Sequence, residues 1–241
     1  MVKRAHMLTR SYLEAWATPR GQVHVWDLEA QLSLITGIGN ATVVSRAYDT
    51  QVTSNDLEAE FAEIEGAGIQ AIRTLAGGGA IRVGGQEAVI RFLEMHRERG
   101  LYADQVKTRV PVISGNFMTG AIEERELGLG DRLTLARSAN KEDARITDLR
   151  LDRRRWQVVE VSSGLLTGDG AVLQWAPSAE ATVSTVTFPI SPKRLLIVGD
   201  DIDVPWRRLN YLAASRSRRW IVGQPGSECE RSLHVAYPGS V

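Results

Sequence analysis

His6, His24, His96 and His234 are the side chains of this sequence whose charge changes near neutral pH. No two of them stand four residues apart, so no helix offers a ready pair of metal-ligating imidazoles. His6 has the most suggestive setting. It opens an apolar, aromatic segment, Met7-Leu8-Thr9-Arg10-Ser11-Tyr12-Leu13, followed by Trp16-Ala17. An imidazole at the first turn of such a helix is placed to act as a general base. The same residue could equally serve the fold by bonding a buried backbone group.

Other charged clusters have simpler readings. Asp200, Asp201 and Asp203 could together hold a hard cation through oxygen, but ahead of Pro205 they read as a solvated turn. Asp152-Arg153-Arg154-Arg155 leads into a strand, and Arg207, Arg208, Arg216, Arg218 and Arg219 could extend a basic surface. Twenty-nine basic residues balance 29 acidic ones, so no global field draws nucleic acid or an anionic membrane. Nucleic acid stays a possible partner that net charge does not support. Gly37-x-Gly39 has no third glycine at dinucleotide-fingerprint spacing, and Gly77 to Gly85 lacks the lysine and hydroxyl of a phosphate loop. Cys229 is the sole cysteine, which rules out an intrachain disulfide and leaves no thiolate set for zinc. No cofactor follows from any of these motifs.

Positioning these residues falls to elements of both periods. Leu8 to Ala17 reads as a short helix closed by Pro19, and Gln22 to Asp27 with Leu32 to Ile35 as a hairpin. Thr53-Ser54-Asn55-Asp56 supplies helix-capping residues ahead of a helix over Leu57–Leu75, ended by Gly77-Gly78-Gly79. A second helix over Gln86–Arg99 completes an αα-hairpin. Leu101 to Leu149 reads as helical pieces broken by Pro111 and several glycines. From Arg155 the period is two, giving antiparallel strands at Trp156–Val161, Gly164–Thr167, Ala181–Phe188 and Arg194–Val198. A helix over Trp206–Ser217 and a strand at Arg219–Val222 follow. The expected fold is a single α+β domain over 1–241, its helical part roughly 53–149 and its sheet part roughly 155–223. The start has no continuous apolar leader core. The aliphatic run Leu195–Val198 is far too short to cross a bilayer. A cytoplasmic protein is expected.

His6-Met7-Leu8-Thr9-Arg10-Ser11-Tyr12-Leu13, with Trp16-Ala17, resembles the opening of DUF 4238, an uncharacterised bacterial family. Thinner likenesses follow in the same order: Val25-Trp26-Asp27, Ala47-Tyr48, Ile64-Glu65, Phe92 to Arg99, Leu166-Thr167-Gly168-Asp169, Phe188-Pro189-Ile190-Ser191 and Leu209-Asn210. The chain departs from the pattern at Thr9, where proline is usual, at Glu98-Arg99-Gly100, and at Gly170-Ala171. The family carries no reaction. The resemblance does single out six polar positions: His6, Tyr12, Glu65, Arg99, Asp169 and Asn210.

That set has the types for hydrolytic or phosphoryl chemistry. His6 would be the base, Glu65 or Asp169 its orienter or a metal ligand, and Arg99 a clamp on an anionic group, with Tyr12 and Asn210 contacting substrate. The expected activity is hydrolysis of a phosphate-containing or nucleic-acid substrate. The alternative is a non-catalytic ligand- or partner-binding module in bacterial defence or stress, with an apolar groove near Trp16, Trp26 or Trp206. In a purely structural reading, His6 and Asp169 satisfy backbone groups while Glu65 and Arg99 form an ion pair.

Overall fold

The computed structural model of the protein describes residues 4–53, 56–115, 118–139 and 145–227, and the fold is α+β. The chain opens with strand β1 (Arg4–His6) and the short helix α1 (Arg10–Leu13), continued by a 3-10 turn over Glu14–Trp16. A hairpin of β2 (Gln22–Asp27) and β3 (Leu32–Gly37) follows. Strand β4 (Val43–Ser45) then returns to pair antiparallel with β1, His6 opposite Val43.

Helix α2 (Leu57–Ala76) starts where the Asp56 carboxylate accepts the Ala59 N–H. Its apolar stripe, which includes Leu57, Phe61, Ile64, Ile69, Ile72 and Leu75, is buried, each side chain contributing on the order of 2 kcal/mol. The helix ends in a Schellman motif: Gly79 N–H reaches Thr74 O, Gly78 N–H reaches Leu75 O, and Gly78 takes φ +81°. Helix α3 (Val83–Leu101) packs back on α2, so the αα-hairpin is present. It begins at Val83, passing through Gly84 and Gly85, where sequence periodicity places its start at Gln86.

The middle segment differs from the sequence expectation. Between α3 and α4 (Leu129–Ala139) stands a two-stranded hairpin, β5 (Val110–Gly115) and β6 (Ile122–Leu127), rather than broken helix. Ile113 and Ile122 are exposed on it. Its inner and outer faces are therefore not separated by polarity, which removes the alternation that marks a strand.

The rest of the chain is mainly strand. β7 (Trp156–Glu160), β8 (Thr167–Gly168), β9 (Leu173–Trp175), β10 (Thr185–Ser191) and β11 (Arg194–Val198) precede helix α5 (Trp206–Arg216) and strand β12 (Trp220–Gly223). They build two four-stranded antiparallel sheets, ordered β7-β11-β10-β9 and β3-β2-β12-β8. The second sheet joins the chain's beginning to its end, with Trp220 opposite Asp27. One hydroxyl ties the sheets together: Tyr12 Oη donates to Pro189 O in β10 (2.6 Å) and accepts from Thr167 Oγ1 in β8 (2.7 Å). Tyr12, Trp16, Phe92, His96 and Phe188 form an aromatic cluster at this junction. No helix among the described residues is long and apolar enough to cross a membrane.

Candidate functional site

β1, α1, α2 and α3 contribute to a cavity of about 420 Å³ whose charged and polar lining includes His6, Arg4, Arg10, Ser11, Glu14, Tyr48, Glu58, Glu65 and Arg99. His6 is carried there by the β1–β4 pair. Its Nδ1 lies 3.1 Å from Ala41 O. A carbonyl only accepts, so Nδ1 carries the hydrogen and Nε2 is left with the basic lone pair. Burial holds the His6 pKa below its ordinary value; the Ala41 bond and Glu65 oppose this, while Arg10 and Arg4 add to it. The ring is therefore neutral, and able to accept a proton, at neutral pH.

Glu65 and Arg99 face each other across the αα-hairpin. Arg99 Nη1 donates to Glu65 Oε1 at 2.5 Å, and the Thr9 hydroxyl donates to the same oxygen at 2.9 Å. Arg99 is buried, with its guanidinium 4.2 Å from the Phe61 ring centroid and 5.3 Å from that of Tyr48. A cation over a ring face is favourable, more so when desolvated. Arg99 Nε is nevertheless buried with no hydrogen-bond partner among the described residues.

The structure thus gathers His6, Glu65 and Arg99, and it places Asp169, Tyr12 and Asn210 elsewhere. The Asp169 carboxylate accepts the backbone N–H groups of Arg218 (2.7 Å), Arg219 (2.9 Å) and Trp220 (2.8 Å), pinning the entry to β12. Burial pushes its pKa up to about 6, against the pull of those donors. The Tyr12 hydroxyl is consumed between the sheets, and burial raises its pKa well above the ordinary value. Asn210 accepts Leu166 N–H at 2.8 Å and donates to Gly164 O at 2.9 Å. All three are buried and spent on the fold. None lines the cavity.

Two neighbouring residues have local roles. Thr9 supplies the hydroxyl that fixes Glu65. Gly100 follows Arg99 because a Cβ there would stand 2.0 Å from Asp169 O. Sequence reasoning missed Thr9, Arg10 and Ser11 as cavity or second-contact residues; their signal was their position in the turn after His6. The remaining clusters are engaged in part. Asp201 pairs with Arg155 and accepts from Gln157, Arg154 donates to the carbonyls of Leu149 and Ser184, and Arg219 pairs with Asp27 and Glu29. His96 is buried, bonding Gly168 O through Nε2, while His24 meets Ser33 Oγ at 2.6 Å. Cys229 and His234 lie outside the described residues, as do Ser54 and Asn55 of the capping cluster.

No family model, curated protein or solved structure matches this chain. The geometry has to speak by itself. Among the described residues no group of three or more His, Cys, Asp or Glu side chains is close enough to hold a metal ion. Trp16 and Trp26 are buried and Trp206 is half-buried against Leu209 and its neighbours, so the two buried rings do not line an open apolar groove.

Proposed function

We propose that the His6 cavity binds a small phosphate-bearing molecule and hydrolyses it, and that the chain is a divergent, bacterial member of DUF 4238. One observation carries the reading: a neutral histidine with a defined basic nitrogen shares a cavity with Arg10 and Arg99. Arginine suits phosphate because its planar fork presents several donors at fixed geometry. In the proposed step His6 Nε2 takes a proton from water, the water oxygen bonds to phosphorus as the P–O ester bond breaks, and His6 Nε2 returns that proton to the departing ester oxygen. Arg10 and Arg99 stabilise the charge on the phosphoryl oxygens. Glu65 holds Arg99 in place rather than acting on substrate. Asp169 has no part in the step.

Binding without turnover is the second reading, and one observation favours it. No carboxylate hydrogen-bonds to His6 among the described residues, because its Nδ1 is taken by Ala41 O. The discriminating experiment measures p-nitrophenyl phosphate hydrolysis and inorganic phosphate binding by calorimetry, with His6→Ala and Arg10→Ala alongside. Hydrolysis falling about 10²–10⁴-fold in His6→Ala supports catalysis. Binding sensitive to Arg10→Ala with no turnover supports the second reading. If phosphate neither binds nor is released, both readings fail.

A further inference from the structure

Helix α5 carries a feature that the His6 cavity leaves unused. From Val204 to Ser227 the chain holds Arg207, Arg208, Arg216, Arg218 and Arg219 and no acidic residue, within a sequence of zero net charge. The fold sorts these arginines. Arg219 turns inward to Asp27 and Glu29, and Arg218 meets Asp104 at 3.6 Å. Arg207, Arg208 and Arg216 remain exposed, and Arg208 and Arg216 have no carboxylate partner among the described residues.

The aromatic element absent from the linear pattern is supplied by the helix. Tyr211 is 54% exposed, and at helical spacing it falls between Arg207 and Arg208 on the solvent face. Arg208 lies 5.1 Å from the Tyr211 ring centroid and Arg207 5.1 Å from that of Trp206. One face of the Tyr211 ring is covered by a guanidinium, and the ring's exposure leaves room for a flat group on the other.

We propose that this face of α5 binds single-stranded nucleic acid, with arginines on phosphates and an unpaired base stacked on Tyr211. Charge complementarity selects a polyanion, and the aromatic–arginine alternation selects unpaired bases over a duplex, whose bases are already stacked. Of the three aspartates ahead of the helix, Asp201 is held by Arg155.

The test uses the full chain and a fluorescein-labelled oligouridylate of about 15 nucleotides, followed by anisotropy over a salt series. Binding is expected, with a log–log salt slope of about −1.4 for the two phosphates met by Arg208 and Arg216 on a single strand. Tyr211→Ala weakens it about tenfold with the slope unchanged, while Tyr211→Phe retains it. The Arg207→Ala/Arg208→Ala double variant flattens the slope, and His6→Ala, whatever it does to hydrolysis, leaves oligonucleotide affinity at the parent value. The three positions other than His6 are exposed, and circular dichroism confirms that each variant is folded. Absence of binding at low salt overturns the proposal. So does binding indifferent to Tyr211 and the arginines, or lost in His6→Ala. Equal competition by polyglutamate overturns it in favour of an acidic protein partner, and equal affinity for duplex removes the single-strand claim.

Discussion

Arg99 and Glu65 meet at 2.5 Å between α3 and α2, and the guanidinium that makes this pair also lies 4.2 Å from the Phe61 ring centroid. The arginine side chain is almost wholly enclosed and the glutamate about three-quarters so. Removing one partner of such a pair leaves a charge stranded with little water. Arg99→Ala should therefore destabilise the protein by about 3 kcal/mol and Glu65→Gln by less. A double-mutant cycle by urea unfolding should show coupling above about 0.5 kcal/mol. Additive effects would show that the pair is incidental.

Asp169 offers a clean separation of structure from chemistry. Its carboxylate serves three backbone N–H groups, so Asp169→Ala orphans three donors and should cost about 3 kcal/mol or more. Phosphate affinity at the His6 cavity should stay within about twofold. If the variant is stable but loses phosphate binding, Asp169 belongs to the site after all.

Tyr12→Phe removes the hydroxyl between the sheets while keeping its ring in the aromatic cluster. A loss of about 1–3 kcal/mol is expected, because Thr167 and Pro189 O each lose a buried partner. Thermal unfolding unchanged from the parent would mean the two sheets do not depend on that bridge.

His96 sets a pH dependence of stability. Burial among aromatic rings lowers its pKa to about 4, against 6.5 when unfolded, with the Gly168 bond opposing and Arg99 reinforcing the shift. The unfolded chain takes up the proton first, so stability present above pH 6.5 is lost as pH falls toward 4, by about 3 kcal/mol. Asp169, whose pKa is raised, works in the other direction over part of the same range. The measurement is therefore the difference between the parent and His96→Gln in urea unfolding at several pH values. That difference should shrink on acidification; a constant one would contradict the assignment.

Much of the scaffold was legible because its elements advertise their period. The α2 stripe, the Asp56 cap and the Gly77-Gly78-Gly79 stop locate one long helix, and Gln22–Asp27 shows as a strand although both its faces are covered. The β5–β6 hairpin was not legible, since Ile113 and Ile122 face outward beside Glu123 and Glu124. The pairing of β12 with β2 was equally hidden, because nothing local in Trp220–Gly223 names a partner so distant in sequence. At the site, His6, Glu65 and Arg99 do converge. Asp169, Tyr12 and Asn210 share their residue types, but residue type alone does not distinguish a group that binds a ligand from one that satisfies a backbone N–H.

The most direct test is the pKa of His6, followed by NMR of its ring protons with and without inorganic phosphate. The account predicts a value below 6.5 in the free protein and an upward shift on phosphate binding, since an anion nearby favours the imidazolium. The shift should vanish in Arg10→Ala. A His6 resonance that titrates normally and ignores phosphate would contradict the assignment of this cavity as the working site.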